Sequence, residues 1–335
     1  MKKLISLFTV LVLILMVVLS GCGTATTTTP AATTTAAKQI IIGYNAFGDT
    51  SDYSKAISTN LIAKAESLGM KILRADTAGD ASTAIKNVDS FITQGANIII
   101  DCSWNLSACE AVAKKCTEAK LPCILIDIPV SDPNAYFMGV NNNDVGETIG
   151  KASAKYIKEN WGGKLDWIVL AYVEAWGEAV RTRVSTIPTT LKAEGIEFDE
   201  KNVVYVDPQT SDSTVVAKQL GTDFLTAHPD AKHILFVGAN EASAQGLLSA
   251  VEISNRDADC VVVSNDLTDM GIANLYKDDN VWIGSCAAFP ENYKDVLLPM
   301  VQDIMAGKTI DKNGYQKIGF VDRTTIADYY PNPNK

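Results

Sequence analysis

IIIGYN (residues 40–45), KILRA (71–75), IIID (98–101) and CILID (123–127) are four short apolar runs, and the segments between them decide the fold. Each run is close to continuously apolar, which is the pattern of a strand covered on both faces in a parallel sheet rather than of a half-exposed strand. The segments Tyr53–Leu68, Ala81–Thr93 and Leu106–Ala119 between them read as amphipathic helices. Gly69 and Gly95 close the first two, as glycine does where a helix ends in a left-handed turn. A βαβαβαβ order of this kind predicts a doubly wound domain with right-handed crossovers.

A second series of the same kind follows. Val145–Asn160 reads as a helix, Leu165–Ala171 as a strand, and Ala175–Gly195 as a helix that Pro188 kinks or breaks. Strands are expected at Val203–Val206, His233–Val237, Cys260–Asn265 and Trp282–Cys286. Helices are expected at Thr214–Ala227, Ala242–Ile253 and Thr268–Lys277, with Tyr293–Met305 returning to the first domain. The fold class is therefore α/β, with two doubly wound parallel-sheet domains joined by a multi-strand hinge. We expect the first lobe to comprise residues 39–141 with 289–319, and the second 142–288 with 320–330. The hinge is expected near Asn141–Asn143, Ala287–Phe289 and Phe320–Asp322.

The N-terminus carries Lys2 and Lys3, then an almost unbroken apolar run from Leu4 to Leu19. Leu19-Ser20-Gly21-Cys22 resembles the bacterial lipobox, so residues 1–21 are expected to be a lipoprotein signal peptide and Cys22 the lipidated residue. The Thr- and Ala-rich stretch up to residue 38 has no large apolar side chain and reads as a solvated linker. Together these imply a chain held to the extracytoplasmic face of the cell membrane by lipid alone. The formal net charge is −10, and loss of Lys2 and Lys3 with the signal would make it −12. An acidic chain without a basic run excludes nucleic acid as a partner.

Of the seven cysteines, Cys102, Cys109, Cys116 and Cys123 recur every seventh residue. None forms the close pairs of a structural zinc site. Cys109 and Cys116 fall two turns apart on one helix, about 10 Å along its axis, which is too far for a disulfide. They read as small buried hydrophobes, and neither a metal nor a cofactor is expected. The two histidines, His228 in a His-Pro-Asp turn and His233 opening a strand, read as structural. With no G-x-S-x-G, H-E-x-x-H, G-x-G-x-x-G or P-loop motif, the chain is not expected to be an enzyme.

Ligands of open parallel sheets sit beyond the carboxyl ends of the strands. Asn45, Asp101, Asp127, Asn240 and Asp266 all fall at such ends. At this point the sequence resembles the ribose-type periplasmic binding proteins of fold type I. The resemblance rests on Leu225-Thr-Ala-His-Pro-Asp230, Gly238-Ala-Asn240-Glu241-Ala-Ser-Ala-Gln-Gly246, Val261-Val-Val-Ser-Asn-Asp266, Val140 to Gly146, and Arg183 four residues before Ile187. It implies a non-enzymatic solute-binding lipoprotein of an ABC transporter, a monomer that captures a small polyhydroxylated ligand between its lobes and hands it to a permease. A sensory receptor presenting the closed form to a chemoreceptor or kinase is the alternative.

The resemblance also implies roles. Asp127 and Asp266 would accept from ligand hydroxyls, Arg183 would donate, and Asn240 would do both. Asn45 would make a polar contact and Tyr53 would stack on the sugar. Trp104 and Trp176, near strand ends, would supply further stacking surface. Three positions depart from the pattern: Ile128 stands where the family has arginine, Ala288 where it has glutamine, and Thr186-Ile187 where it has Gly-Phe. These changes imply a ligand other than ribose.

Overall fold

The computed structural model describes residues 39–210 and 214–332. The signal, the lipobox and Cys22 lie outside the described residues. The first lobe begins β1 (Ile41–Ala46), α1 (Asp52–Ser67), β2 (Lys71–Asp76), α2 (Ala81–Thr93), β3 (Ile98–Asp101), α3 (Leu106–Ala119), β4 (Cys123–Ile126) and β5 (Ala135–Gly139). The chain then crosses into α4 (Asn142–Trp161), β6 (Trp167–Ala171), α5 (Glu178–Ala193), β7 (Val203–Val206), α6 (Thr214–Ala227), β8 (Ile234–Gly238), α7 (Glu241–Ile253), β9 (Cys260–Asp266), α8 (Asp269–Leu275) and β10 (Trp282–Ala287). It returns through α9 (Lys294–Met305) and β11 (Asn313–Tyr315), then crosses once more to β12 (Gly319–Val321) and α10 (Ile326–Tyr329).

Two sheets result, ordered β11-β5-β4-β3-β1-β2 and β12-β10-β9-β8-β6-β7. Every pair in the first is parallel, and so is every pair in the second except the edge pair β10–β12. The central strands β3, β4, β8 and β9 are buried along their whole length, whereas the edge strands β2 and β7 are half-exposed. This is why the central runs are apolar until their carboxyl ends: helices cover both faces, and polar residues enter only at Asp101 and at Ser264–Asp266. The six cysteines among the described residues are all buried and unpaired.

Several elements differ from the sequence reading for identifiable reasons. Helix α4 begins at Asn142 rather than Val145, because the Asn141 side chain caps it, accepting from the Asn143 and Asp144 amides at 3.1 and 3.4 Å. Pro188 does not break α5, which runs on to Ala193 with Val184, Ile187 and Leu191 buried on its inner face. The third crossing is Gln316–Ile318, ahead of the expected Phe320–Asp322. Gly319–Val321 is already an edge strand, paired antiparallel with Ser285–Ala287.

Helices α4 and α5 approach closely because Gly146 and Gly150 face α5. A Cβ on Gly146 would lie 2.9 Å from the Arg183 carbonyl oxygen, and one on Gly150 would lie 2.6 Å from the Thr190 Cβ. This contact sets the position of Arg183.

Candidate functional site

The carboxyl ends of β3, β4, β8 and β9 open toward one another across the lobes. Four non-glycine residues there adopt left-handed φ: Trp104 at 48°, Asp127 at 63°, Asp266 at 108° and Leu267 at 59°. Each costs on the order of 1–3 kcal/mol, and such strain collects where side-chain aim matters more than backbone comfort. Trp104, Asp127 and Asp266 line a single pocket of about 460 Å³ of non-protein space, part of it open to solvent. Ser51, Tyr53 and Ile128 complete the first-lobe wall, and Trp176, Val180, Arg183 and Asn240 the second-lobe wall. A mostly apolar concavity with a few convergent polar groups is the usual form of a small-molecule site.

Arg183 is buried and held from two sides. Its Nε donates to Asn142 Oδ1 and its Nη1 to the Ala239 carbonyl, both at 3.0 Å. The Trp176 ring lies 6.0 Å from its guanidinium carbon. Neither Asp127 nor Asp266 forms an ion pair with it among the described residues, so the three charges face one another across the pocket.

Burial pushes Asp127 up to about 6, against the opposing pull of Arg183 and of hydrogen bonding from Tyr293. Burial pushes Asp266 up to about 7; Arg183 opposes the rise and the Asp127 charge adds to it. Asp127 accepts from Tyr293 and Asp266 from the Asn265 amide, yet burial outweighs these bonds, so further donors brought by a ligand would favour the charged forms.

The aromatic wall is braced. Trp104 packs against Phe47 and Tyr53, with ring centroids 5.2 and 5.4 Å apart, and Trp176 meets Tyr172 edge-on at 5.8 Å. The Trp104 indole N–H is buried and makes no well-formed hydrogen bond among the described residues. It still lies near enough to Asp127 to favour that residue's charged form. Asn240 caps α7, its Oδ1 accepting from the Ser243 amide at 3.0 Å, which fixes its side chain at the pocket edge.

Of the residues singled out in the sequence, Tyr53, Trp104, Asp127, Trp176, Arg183, Asn240 and Asp266 meet in this pocket. Asn45 does not. It points into the sheet face, fully buried, and its Nδ2 donates to Asp101 Oδ1 at 2.9 Å and to the Ala84 carbonyl at 3.2 Å. It ties β1 to β3 and α2. Ser51, Ile128 and Val180 were not read as wall residues. Ser51 is the N-cap of α1, and a capping residue just beyond a strand end was the signal available for it. Tyr293 and Asn142 stand behind the wall, and nothing local in the sequence announces them. Tyr293 is 166 residues from the aspartate it contacts. His228 packs on Trp167 and Phe224, and His233 on Trp161, away from the pocket lining.

Comparison with known proteins agrees with this fold. The family model described as a periplasmic binding protein domain matches residues 42–309. The galactofuranose-binding protein YtfQ of Escherichia coli (strain K12) is 24% identical over 245 residues, 72% of this chain and 74% of that protein. The ribose import binding protein RbsB of Bacillus subtilis (strain 168) is 21% identical over 275 residues, 82% of this chain and 85% of that protein. Among solved structures, the binding protein of the arabinose ABC transporter from Shewanella sp. ANA-3, bound to α- and β-L-arabinofuranose, superposes with a TM-score of 0.74 at 18% identity. That superposition covers 88% of this chain and 96% of the other.

Proposed function

The chain belongs to the periplasmic binding protein family, and on that premise we propose that it is the solute-binding component of an ABC transporter for a small sugar or sugar-like polyhydroxylated molecule. The observation that carries the reading is the pocket itself. Asp127, Tyr53 and Trp104 from one lobe face Arg183, Asp266, Asn240 and Trp176 from the other. Carboxylates and a guanidinium satisfy ring hydroxyls, and indole and phenol faces cover the apolar faces of a sugar ring. YtfQ is named for galactofuranose and the arabinose-transporter protein is bound to L-arabinofuranose, so furanoses belong in the first panel of ligands. Ile128 in the wall leaves the arginine of ribose receptors without a counterpart, which supports a ligand other than ribose.

Delivery to a permease, and anchoring through lipid on Cys22, complete the proposal. No helix among the described residues is long and apolar enough to cross a membrane. Labelled palmitate should enter the wild-type protein and not Cys22→Ala; a wild type that takes up no label removes the anchor.

Thermal shifts of the lipid-free chain against pentoses, hexoses, polyols and furanose-forming sugars test the central claim. A ligand present at 100 times its dissociation constant should add about 2.7 kcal/mol. A panel in which no hydroxylated ligand shifts the melt would overturn the reading.

A further inference from the structure

Tyr293 is absent from the pocket wall, yet two wall residues depend on it. It is fully buried just after the second crossing between the lobes. Its Oη lies 2.8 Å from Asp127 Oδ1 and 2.5 Å from Tyr53 Oη, and the two phenol rings meet edge-on at 5.9 Å. A phenol carries one hydrogen and donates once, while an ionised carboxylate only accepts. The Tyr293 hydrogen therefore goes to Asp127, and the hydrogen between the two phenols must come from Tyr53.

We infer that Tyr293 is a positioning residue that fixes the hydrogen-bond polarity of the site: Tyr53 donates inward to Tyr293, Tyr293 donates to Asp127, and the part of the wall formed by Tyr53 and Asp127 offers a ligand acceptors only. This inference rests on the sugar-binding reading and deepens it. The ligand must present hydroxyl hydrogens along that wall, and a deoxy or O-methyl group there leaves a buried acceptor unsatisfied, a loss of roughly tenfold or more in affinity.

The groups facing Asp127 give the relay a second readout. They are Tyr53 on α1, Cys102 and Trp104 beyond β3, Tyr293, Arg183 on α5 and Asp266 at the end of β9. Tyr293, Trp104, Tyr53 and Arg183 all favour the charged form, while burial opposes it. Removing the Tyr293 hydroxyl must raise the Asp127 titration.

Carbon-detected NMR of the Asp127 carboxyl, without ligand, in wild type, Tyr293→Phe and Tyr53→Phe, tests the relay. The wild-type midpoint near 6 should move up in Tyr293→Phe and move less in Tyr53→Phe. An unshifted Tyr293→Phe midpoint overturns the inference. If Tyr293→Phe does not fold, Tyr53→Phe alone decides: a large upward shift would make Tyr53 the direct donor and overturn it as well. Calorimetry with D-galactose and L-arabinose forms the second arm. A sugar that binds the wild type should bind Tyr293→Phe at least tenfold more weakly, and equal binding counts against the relay. If neither sugar binds the wild type, that failure falls on the choice of ligand in the binding reading, while the NMR titration still decides the relay.

Discussion

Asp127, Asp266 and Glu241 form a buried acidic group with one guanidinium near it. Glu241 stands behind Asp266, accepts from the Thr268 amide at 2.9 Å, and is pushed up to about 8, chiefly by burial. All three carboxyls have folded-state values above their ordinary ones. The folded chain therefore keeps protons that the unfolded chain has already released, so these groups make stability fall as pH rises from the usual carboxylate range to about 8. Asp266→Asn should melt higher than the wild type at pH 8.5, by about 1–4 kcal/mol, and should lose ligand binding. Thermal melts at pH 5.5 and 8.5 check the first half. An Asp266→Asn variant that is less stable at pH 8.5 would show that the ionised carboxylate is stabilised by contacts other than those described. Binding should strengthen as pH rises through 6 to 7, because hydroxyl donors favour the ionised acids.

At the scale of elements, the alternation of strands and helices was legible because a doubly covered strand admits few polar residues; the runs at 40–45, 98–101 and 123–127 obey that restriction, whereas 71–75 carries Lys71 and Arg74 and forms the half-exposed edge. Asp127 and Asp266 were singled out as polar residues at the ends of such strands, a signature that Asp101 shares although it lies outside the pocket and bonds to Asn45 and Ser103. Asn45 has the same sequence signature and a different role, because its partner Asp101 becomes a neighbour only when β1 and β3 pair. The chain alone does not encode which strand-end polar group faces its neighbour and which faces the cleft. The Gly146/Gly150 approach to α5 was missed for another reason: four-residue glycine spacing carries no meaning until the opposing helix is known.

That contact yields an element-scale prediction. Gly146→Ala places a methyl against the Arg183 carbonyl and the Thr186 side chain, so α5 must move outward. The overpacking should cost about 1–3 kcal/mol. It should also weaken binding through displacement of Arg183 from Asn142. Paired thermal melts and calorimetry check this, and a variant that loses stability but keeps full affinity would separate α4–α5 packing from Arg183 placement.

For the whole molecule, the arrangement has a cost that identifies its driving force. Asp127, Arg183 and Asp266 are buried to within 8% of full cover, yet the guanidinium contacts neither carboxylate as an ion pair among the described residues. Charges held this way lose their hydration and regain only part of it from the protein bonds to Asn142, Ala239, Tyr293 and Asn265. Separating the lobes about Val140–Asn141, Ala288–Phe289 and Gln316–Ile318 would let water back onto all three. A polyhydroxylated ligand supplies the missing hydrogen bonds only when both walls reach it, so its affinity differs between open and closed forms, and only that difference can move the equilibrium. Shifting it from 1:99 to 99:1 takes about 5.5 kcal/mol of differential affinity, which a few charge-assisted hydrogen bonds can provide. Small-angle scattering of the wild type should therefore show a smaller radius of gyration at saturating ligand than without it. Arg183→Met leaves Asp127 and Asp266 facing each other with no cation between them. It should stay expanded at a ligand concentration that compacts the wild type. If the wild type shows no change at saturation, or Arg183→Met compacts equally, closure is not driven by the charges in this pocket.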